Sequence, residues 1–252
     1  MTLSILLPVR NDGINLKVML KILRAVVEER HEVIVIHDTP DDDGIQVVRQ
    51  IQAVYPELRL LHNTLGPGAA KAIRAGVEAA TGEYVLIFAA DEVGPVLVIE
   101  DMMMLMHEGC EFISCTRYAH GGRRLGGSRL GGLVSRTANR LFRLLSGSPF
   151  TDATTGIKMF RRDAYPRLEL DGASVGWSVV FEMAIKAQLA GLKLGEVPIV
   201  SIDRLYGGRS TFRFGPWVLA YSRWFLWGLR KSWSAPARAN RTLRLRIPAS
   251  SR

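Results

Sequence analysis

Two apolar runs in this chain of 252 residues end in carboxylates, and chemistry would start there. Tyr84-Val85-Leu86-Ile87-Phe88 leads into Ala89-Ala90-Asp91-Glu92 and a Gly94-Pro95 turn. Glu32-Val33-Ile34-Val35-Ile36 leads into His37-Asp38, then Thr39-Pro40 and the acidic run Asp41, Asp42 and Asp43 before Gly44. In open α/β sheets, ligands sit beyond the carboxyl ends of the strands, so acidic groups there face a ligand rather than a core. Two such strands on one edge suit a nucleotide with its metal or sugar. Asp38 is placed to accept hydrogen bonds from a base or ribose; an Asx turn is the alternative. Asp91 reads as a metal or diphosphate ligand, or else as a structural cap. Asp12 faces the same choice at the end of an earlier run, where it can equally cap a helix. Glu92 either assists or is solvated, Asp41 to Asp43 read as an exposed loop, and His37 as a wall of the pocket.

Cationic side chains supply a second set. Arg117 follows an apolar strand, and its guanidinium fork suits bidentate capture of phosphate. Asp152 would take a proton from a hydroxyl within hydrogen-bond reach, or organise the Thr154-Thr155-Gly156 turn. Arg204 and Arg209 are close enough to the chain's end to fold over a diphosphate and balance its charge. Arg136, Arg140 and Arg143 recur at helical spacing opposite Leu133, Leu141, Leu144 and Leu145, a pattern that fits an anionic surface or a solvated face.

The elements that position these groups alternate between periods. Leu3–Val9, Val33–Ile36, Leu58–His62 and Tyr84–Phe88 read as strands. Helical spacing runs from Leu16 to Val27, from Ile45 to Val54, and from Ala69 past Val77. Strand and helix in alternation predict a mostly parallel sheet with helices on both faces. The second half is less regular: a strand over Glu111–Thr116, a Gly/Arg-rich stretch from Gly121 to Gly132, a helix over Leu133–Leu145, and a strand over Ile157–Phe160. A helix over Val179–Leu189 and one final strand over Glu196–Ile202 follow. A single domain is expected over residues 1–230, ending in an aromatic amphipathic segment from Phe214 to Trp227. A basic, unstructured tail is expected over 231–252.

Composition narrows the partners. Hydrophobic residues at 48% and charged ones at 23% are those of an ordinary folded protein. The net charge of +9 and pI near 9.9 attract anions. No motif for DNA or RNA accompanies that charge, so nucleic acid is not expected. Cys110 and Cys115 do not favour a local bridge, which suits a reducing cytoplasm. No leader is visible and no apolar run reaches the ~20 residues of a spanning helix. Trp, Phe and Arg mixed through Phe214–Lys231 suit the interface of a membrane.

In order and spacing, several segments together resemble the family 2 glycosyltransferases of GT-A fold, in particular the dolichol-phosphate mannosyltransferase-like branch. Leu6-Leu7-Pro8-Val9-Arg10-Asn11-Asp12 resembles the opening P-x-x-N-E strand. His37 to Gly44 stands where the family has D-D-G-S-x-D-G, and Gly66-Pro67-Gly68-Ala69-Ala70-Lys71 resembles G-x-G-x-A. Thr116-Arg117-Tyr118-Ala119-His120-Gly121-Gly122 resembles S-R-Y-x-x-G-G, and Asp152 to Lys158 resembles D-x-T-S-G-F-R/K. Glu196-Val197-Pro198-Ile199 and Asp203-Arg204-Leu205-Tyr206-Gly207 resemble E-V-P-I and D-R-x-Y-G. The resemblance covers Leu3 to Trp227. At the D-x-D motif the chain departs, because Ala89-Ala90-Asp91 lacks the first carboxylate, and that bears on the Mg²⁺ or Mn²⁺ the family would use.

The resemblance implies an inverting transfer of sugar from a nucleotide-diphospho-sugar to a polyprenyl phosphate or membrane-linked glycan, in the cytoplasm at the inner face of a membrane. Sugar-to-glycan transfer in polysaccharide or O-antigen assembly, or a weakly catalytic nucleotide-sugar binder, are the alternatives. It also implies catalytic roles for Asp91, Asp152 and Arg204, and a metal at Asp91. Ligand contacts are implied for Pro8, Asp12, Asp38, Lys71, Ala90, Asp91, Arg117, Ser135, Arg136 and Arg209, with Ser135 and Arg136 matching an acceptor-phosphate pair.

Overall fold

Continuous apolar strands need cover on both faces, and β1 (Leu3–Val9), β2 (His31–His37) and β4 (Tyr84–Ile87) are buried almost throughout. A computed structural model of the protein describes residues 2–126, 128–202, 214–234 and 239–248, with backbone alone at 129 and 214. Successive strand residues face opposite ways and so feed two cores. Leu3, Ile5 and Leu7 pack with α1 (Gly13–Val26), α2 (Gly44–Ile51) and α4 (Ile99–His107). Leu6, Ile34 and Ile36 pack with α3 (Ala69–Ala79) and α6 (Ser178–Leu189).

The main sheet has the order β10-β8-β5-β7-β4-β1-β2-β3. Here β3 is Leu58–His62, β5 Phe112–Thr116, β7 Lys158–Arg161, β8 Leu194–Pro198 and β10 Leu243–Leu245. All its strands run parallel except β7, which is antiparallel to β4 and β5. The expected mostly parallel α/β sheet is therefore present, and the antiparallel β7 is an addition to it. From β1 the chain first moves outward through β2 and β3, then returns to place β4 on the other side of β1. That reversal makes the ends of β4, β1 and β2 the topological switch point of the sheet, where open α/β sheets take their ligands.

Three segments differ from expectation. The helix expected over Leu133–Leu145 is α5, Arg129–Ser146. It starts early because Ser128 Oγ accepts from Gly131 N at 3.2 Å, and it ends on left-handed Gly147. The single strand expected over Glu196–Ile202 divides at Ile199. Ile199 N–H still bonds Thr116, whereas its carbonyl accepts from Arg123, so β9 (Val200–Ile202) pairs with β6 (Arg123–Leu125) in a separate ribbon. The tail expected to lack structure contributes β10, which adds to the edge of β8, and Arg246 Nε lies 2.7 Å from Asp101.

The aromatic segment is α7, Phe214–Ser234, and it runs past residue 230. Trp224 and Leu229 join the core, Phe225 stacks edge-on to Phe142 of α5, and Leu219, Leu226 and Trp233 stay exposed. Cys110 and Cys115 are buried and unbridged.

Candidate active site at the strand ends

The loops after β1, β2 and β4 emerge side by side, because β1 pairs with both other strands in parallel. Asp12, Asp38 and Asp91 are thus delivered to one sheet edge. The first two loops are sewn together by carboxylates expected to lie in solvent. Asp42 is buried, and it accepts from Asn11 N at 2.8 Å and Gly44 N at 2.9 Å. Asp43 accepts from Gly13 N at 2.9 Å. Asn11 has φ of +50°, a conformation asparagine tolerates better than most residues. Of the acidic run, only Asp41 keeps to the expected exposed role without a tie between the loops. Asp12 occupies the N-cap position of α1, yet its side chain accepts from Asn15 Nδ2 at 2.7 Å and makes no capping bond.

Asp38 holds the glycine turn. Its Oδ1 accepts from Asn63 Nδ2 at 2.7 Å and its Oδ2 from Gly68 N at 2.9 Å. Asn63 Nδ2 also donates to the Gly66 carbonyl at 2.7 Å. Gly66 and Gly68 sit at φ of +103° and +114°, where a side chain is strained. Lys71 Nζ lies against Gly66, 2.8 Å from where a Cβ would stand, so it reaches the same rim. An ionised carboxylate offers about four acceptor sites, so Asp38 serves the turn and retains capacity for hydroxyls. His37 is buried, donates Nδ1–H to the Thr39 carbonyl at 2.8 Å, and stacks on His62.

At the end of β4, Ala90 is buried and Asp91 half-buried. Glu92 is half-buried rather than simply solvated. It accepts from Ser201 Oγ at 2.7 Å and Ile202 N at 3.0 Å, tying this loop to β9. No group of three or more His, Cys, Asp or Glu side chains is placed to hold a metal among the described residues. With Ala89 and Ala90 preceding Asp91, the donor set fits an ion held jointly with a ligand's diphosphate, since Mg²⁺ commonly takes one or two carboxylates plus phosphate oxygens. Arg204 and Arg209 lie outside the described residues.

On the β5 side, the geometry favours the turn-organising reading of Asp152 over the base and occupies the fork of Arg117. Asp152 is completely buried, and Arg117 grips it with Nε at 2.7 Å and Nη2 at 3.0 Å. The Arg117 backbone N–H and Thr154 Oγ1 fill the remaining positions at 3.2 and 3.1 Å. Burial alone would raise the Asp152 pKa, but the Arg117 charge and hydrogen bonds outweigh it and lower it. A depressed, saturated and inaccessible carboxylate is a poor general base. The same geometry commits the Arg117 fork to Asp152 instead of an incoming phosphate.

Lys158 and Glu196 are two further charged side chains buried beside this pair. Lys158 Nζ donates to Ser114 Oγ at 2.7 Å and to the Ala153 carbonyl at 3.2 Å, and burial pulls its pKa down to about 7. Glu196 accepts from Thr151 N at 2.8 Å and Thr151 Oγ1 at 2.7 Å, and burial pushes it up to about 7. The signal was a lysine and a glutamate set among apolar strand residues, which seldom occurs without a partner. On α5, Ser135 Oγ lies 3.4 Å from Thr154 Oγ1 and faces this cluster, while the adjacent Arg136 faces solvent. Of the donor-side candidates, Asp12, Asp38, Ala90 and Asp91 lie on the loops after β1, β2 and β4, Pro8 lies near the end of β1, and Lys71 lies in the first turn of α3 beside Gly66. Arg117, Asp152 and Ser135 form a separate group at the β5 end of that edge.

Comparison with known proteins agrees with this architecture. Residues 4–168 match the family model described as glycosyl transferase family 2. Glycosyltransferase AglD of Haloferax volcanii is 27% identical over 202 residues, which is 78% of this chain and 32% of that protein. An uncharacterized glycosyltransferase of Escherichia coli, YibD, is 31% identical over 114 residues, 45% of this chain and 33% of that protein. The chain therefore spans about a third of the length of these curated relatives. Among solved structures, glucosyl-3-phosphoglycerate synthase from Mycobacterium tuberculosis with Mn²⁺, uridine diphosphate and phosphoglyceric acid superposes at a TM-score of 0.66. Identity is 19%, over 90% of this chain and 78% of that one. The same enzyme with Mg²⁺ and uridine diphosphate also gives 0.66 and 19%, over 91% and 79%. Likeness at this identity shows a shared GT-A fold.

Proposed function

The chain belongs to glycosyl transferase family 2, and we propose that it carries a sugar from a nucleotide-diphospho-sugar to the phosphate oxygen of a polyprenyl phosphate, with inversion at the anomeric carbon. The strand-end edge bearing Asp38, Lys71 and Asp91 supports the donor half of this reading. Asp38 would accept from base or ribose while holding the Gly66–Gly68 turn, and Lys71 would meet the diphosphate. A divalent ion shared between Asp91 and that diphosphate would stabilise the charge developing on the leaving nucleotide.

The acceptor half is carried by one observation: the Asp152 carboxylate is sealed under Arg117. A sugar hydroxyl must lose a proton as it attacks, whereas a phosphate monoester is already anionic and needs no strong base. The acceptor oxygen attacks the anomeric carbon opposite the diphosphate, and the bond from that carbon to the diphosphate oxygen breaks. Ser135 and Arg136 would receive the acceptor phosphate. The dolichol-phosphate mannosyltransferase-like branch and a site at the inner membrane face follow from this acceptor.

A melting panel of UDP, GDP and dTDP with their sugars, with and without Mn²⁺, identifies the donor by the nucleotide that stabilises the fold. Transfer of labelled sugar from that donor into the organic phase with polyprenyl phosphate is the expected outcome. Label appearing only on soluble hydroxyl acceptors would refute the acceptor, and no nucleotide-dependent stabilisation would refute the donor.

A further inference from the structure

Helix α5 turns its apolar face outward. Leu130, Leu133, Val134, Leu141, Leu144 and Leu145 remain 47% to 70% exposed, although helical spacing gathers them into one stripe. The face turned inward is small or polar in the main: Ser135 and Asn139 reach Thr154, Ser146 Oγ bonds the Phe142 carbonyl, and Phe142 is the one large apolar anchor. A surface helix ordinarily does the reverse, burying its leucines and exposing its polar side. Exposed apolar stripes of this extent mark a surface that something covers.

We infer that α5 lies in the headgroup layer of an anionic lipid bilayer, with its leucine stripe in the acyl boundary. Arg136, Arg140 and Arg143 are exposed along one flank of the stripe, and α5 contains no acidic residue. Trp233 of α7, 64% exposed, is joined to the same helix end by Nε1–H donating to the Leu145 carbonyl at 2.8 Å. Tryptophan and arginine rims are the usual companions of an interfacial helix. No described helix is long and apolar enough to cross a membrane, so contact from one side is the arrangement available to α5. A second copy fits the face less well, because the arginine row of each α5 would find no acid on the other α5 to neutralise it.

The inference rests on the acceptor reading only for its purpose: it would place Ser135, on the inner side of the same helix, at the depth of a lipid phosphate. Flotation of the full chain with vesicles of phosphatidylcholine alone, or mixed with phosphatidylglycerol, tests it. The protein is expected to float with the anionic vesicles and to release as salt rises. Combined Leu133→Gln, Leu141→Gln and Leu144→Gln should weaken binding roughly tenfold or more with the melting temperature and nucleotide response unchanged. Arg140→Gln with Arg143→Gln should weaken binding and blunt its salt dependence. No flotation, equal flotation of the leucine variant, or a dimer in sedimentation equilibrium that this variant makes monomeric would each overturn the proposal. Flotation alongside sugar transfer only to soluble acceptors would refute the acceptor and leave the surface standing.

Discussion

Arg117 closes a two-point ion pair on Asp152, with Nε and Nη2 at 2.7 and 3.0 Å from its two carboxylate oxygens. The carboxylate has no solvent exposure, and the arginine side chain has 16%. Breaking a buried pair from one side leaves the other charge stranded, which typically costs about 3–5 kcal/mol. Asp152→Asn is therefore expected to lower unfolding free energy by an amount of that order in urea titrations. Nucleotide binding by the remaining folded protein should persist. A base would behave differently, losing turnover with full stability. Arg117→Lys should restore little, because an ammonium cannot reproduce the planar fork.

Glu196 gives the cluster a pH signature. Its folded pKa of about 7 lies above the ordinary 4.5, so the folded protein holds the proton over a range where the unfolded chain has released it. Its contribution is fully present below about pH 4.5 and is lost as pH rises through about 7. A shift of this size corresponds to at most about 3 kcal/mol. Lys158, drawn down to about 7, works in the opposite sense above neutrality, with its contribution growing up to its ordinary value near 10.5. The difference in stability between the protein and Glu196→Gln should therefore slope between pH 4.5 and 7 and flatten at more acid pH. A difference independent of pH over that window would show that Glu196 stays ionised.

The sheet was legible because β1, β2 and β4 are buried on both faces and read as unbroken apolar runs. The positions of Asp38 and Asp91 at one end of the sheet were legible for the same reason, since the strands they follow point one way. Bonds spanning long separations were not legible. Asp42 reaches Asn11 across 31 positions, and Glu92 reaches Ser201 across 109. The tie between Arg117 and Asp152 was not legible either, because a sequence shows both charges but not that they neutralise one another. The division of the final strand at Ile199 depended on a partner, β6, inside a stretch whose glycines and arginines carry no strand pattern. The facing of α5 was equally hidden: periodicity defines a stripe, and only packing decides which side is buried.

Asp91 is expected to connect donor affinity to metal. Titration of the stabilising nucleotide with and without Mn²⁺ should show a metal-dependent gain that Asp91→Asn removes. A tenfold loss in affinity corresponds by linkage to about 1.4 kcal/mol of ligand-induced stability, readily seen as a smaller melting shift. Equal Mn²⁺ responses in the two proteins would remove Asp91 from the metal's shell.

Gly68 is expected to couple backbone conformation to the donor edge. Its φ of +114° disfavours any side chain, although no atom lies within 4 Å of where a Cβ would stand. The cost of Gly68→Ala is therefore conformational rather than steric, about 1–3 kcal/mol for a residue held in such a region. The substitution can relieve its strain by rotating the turn, which would pull its N–H from Asp38 Oδ2. Nucleotide affinity should then fall together with stability, and Asp38→Ala should lose as much affinity without the strain. A Gly68→Ala protein that is destabilised yet binds nucleotide normally would separate the turn from the donor site and leave Asp38 a purely structural clamp.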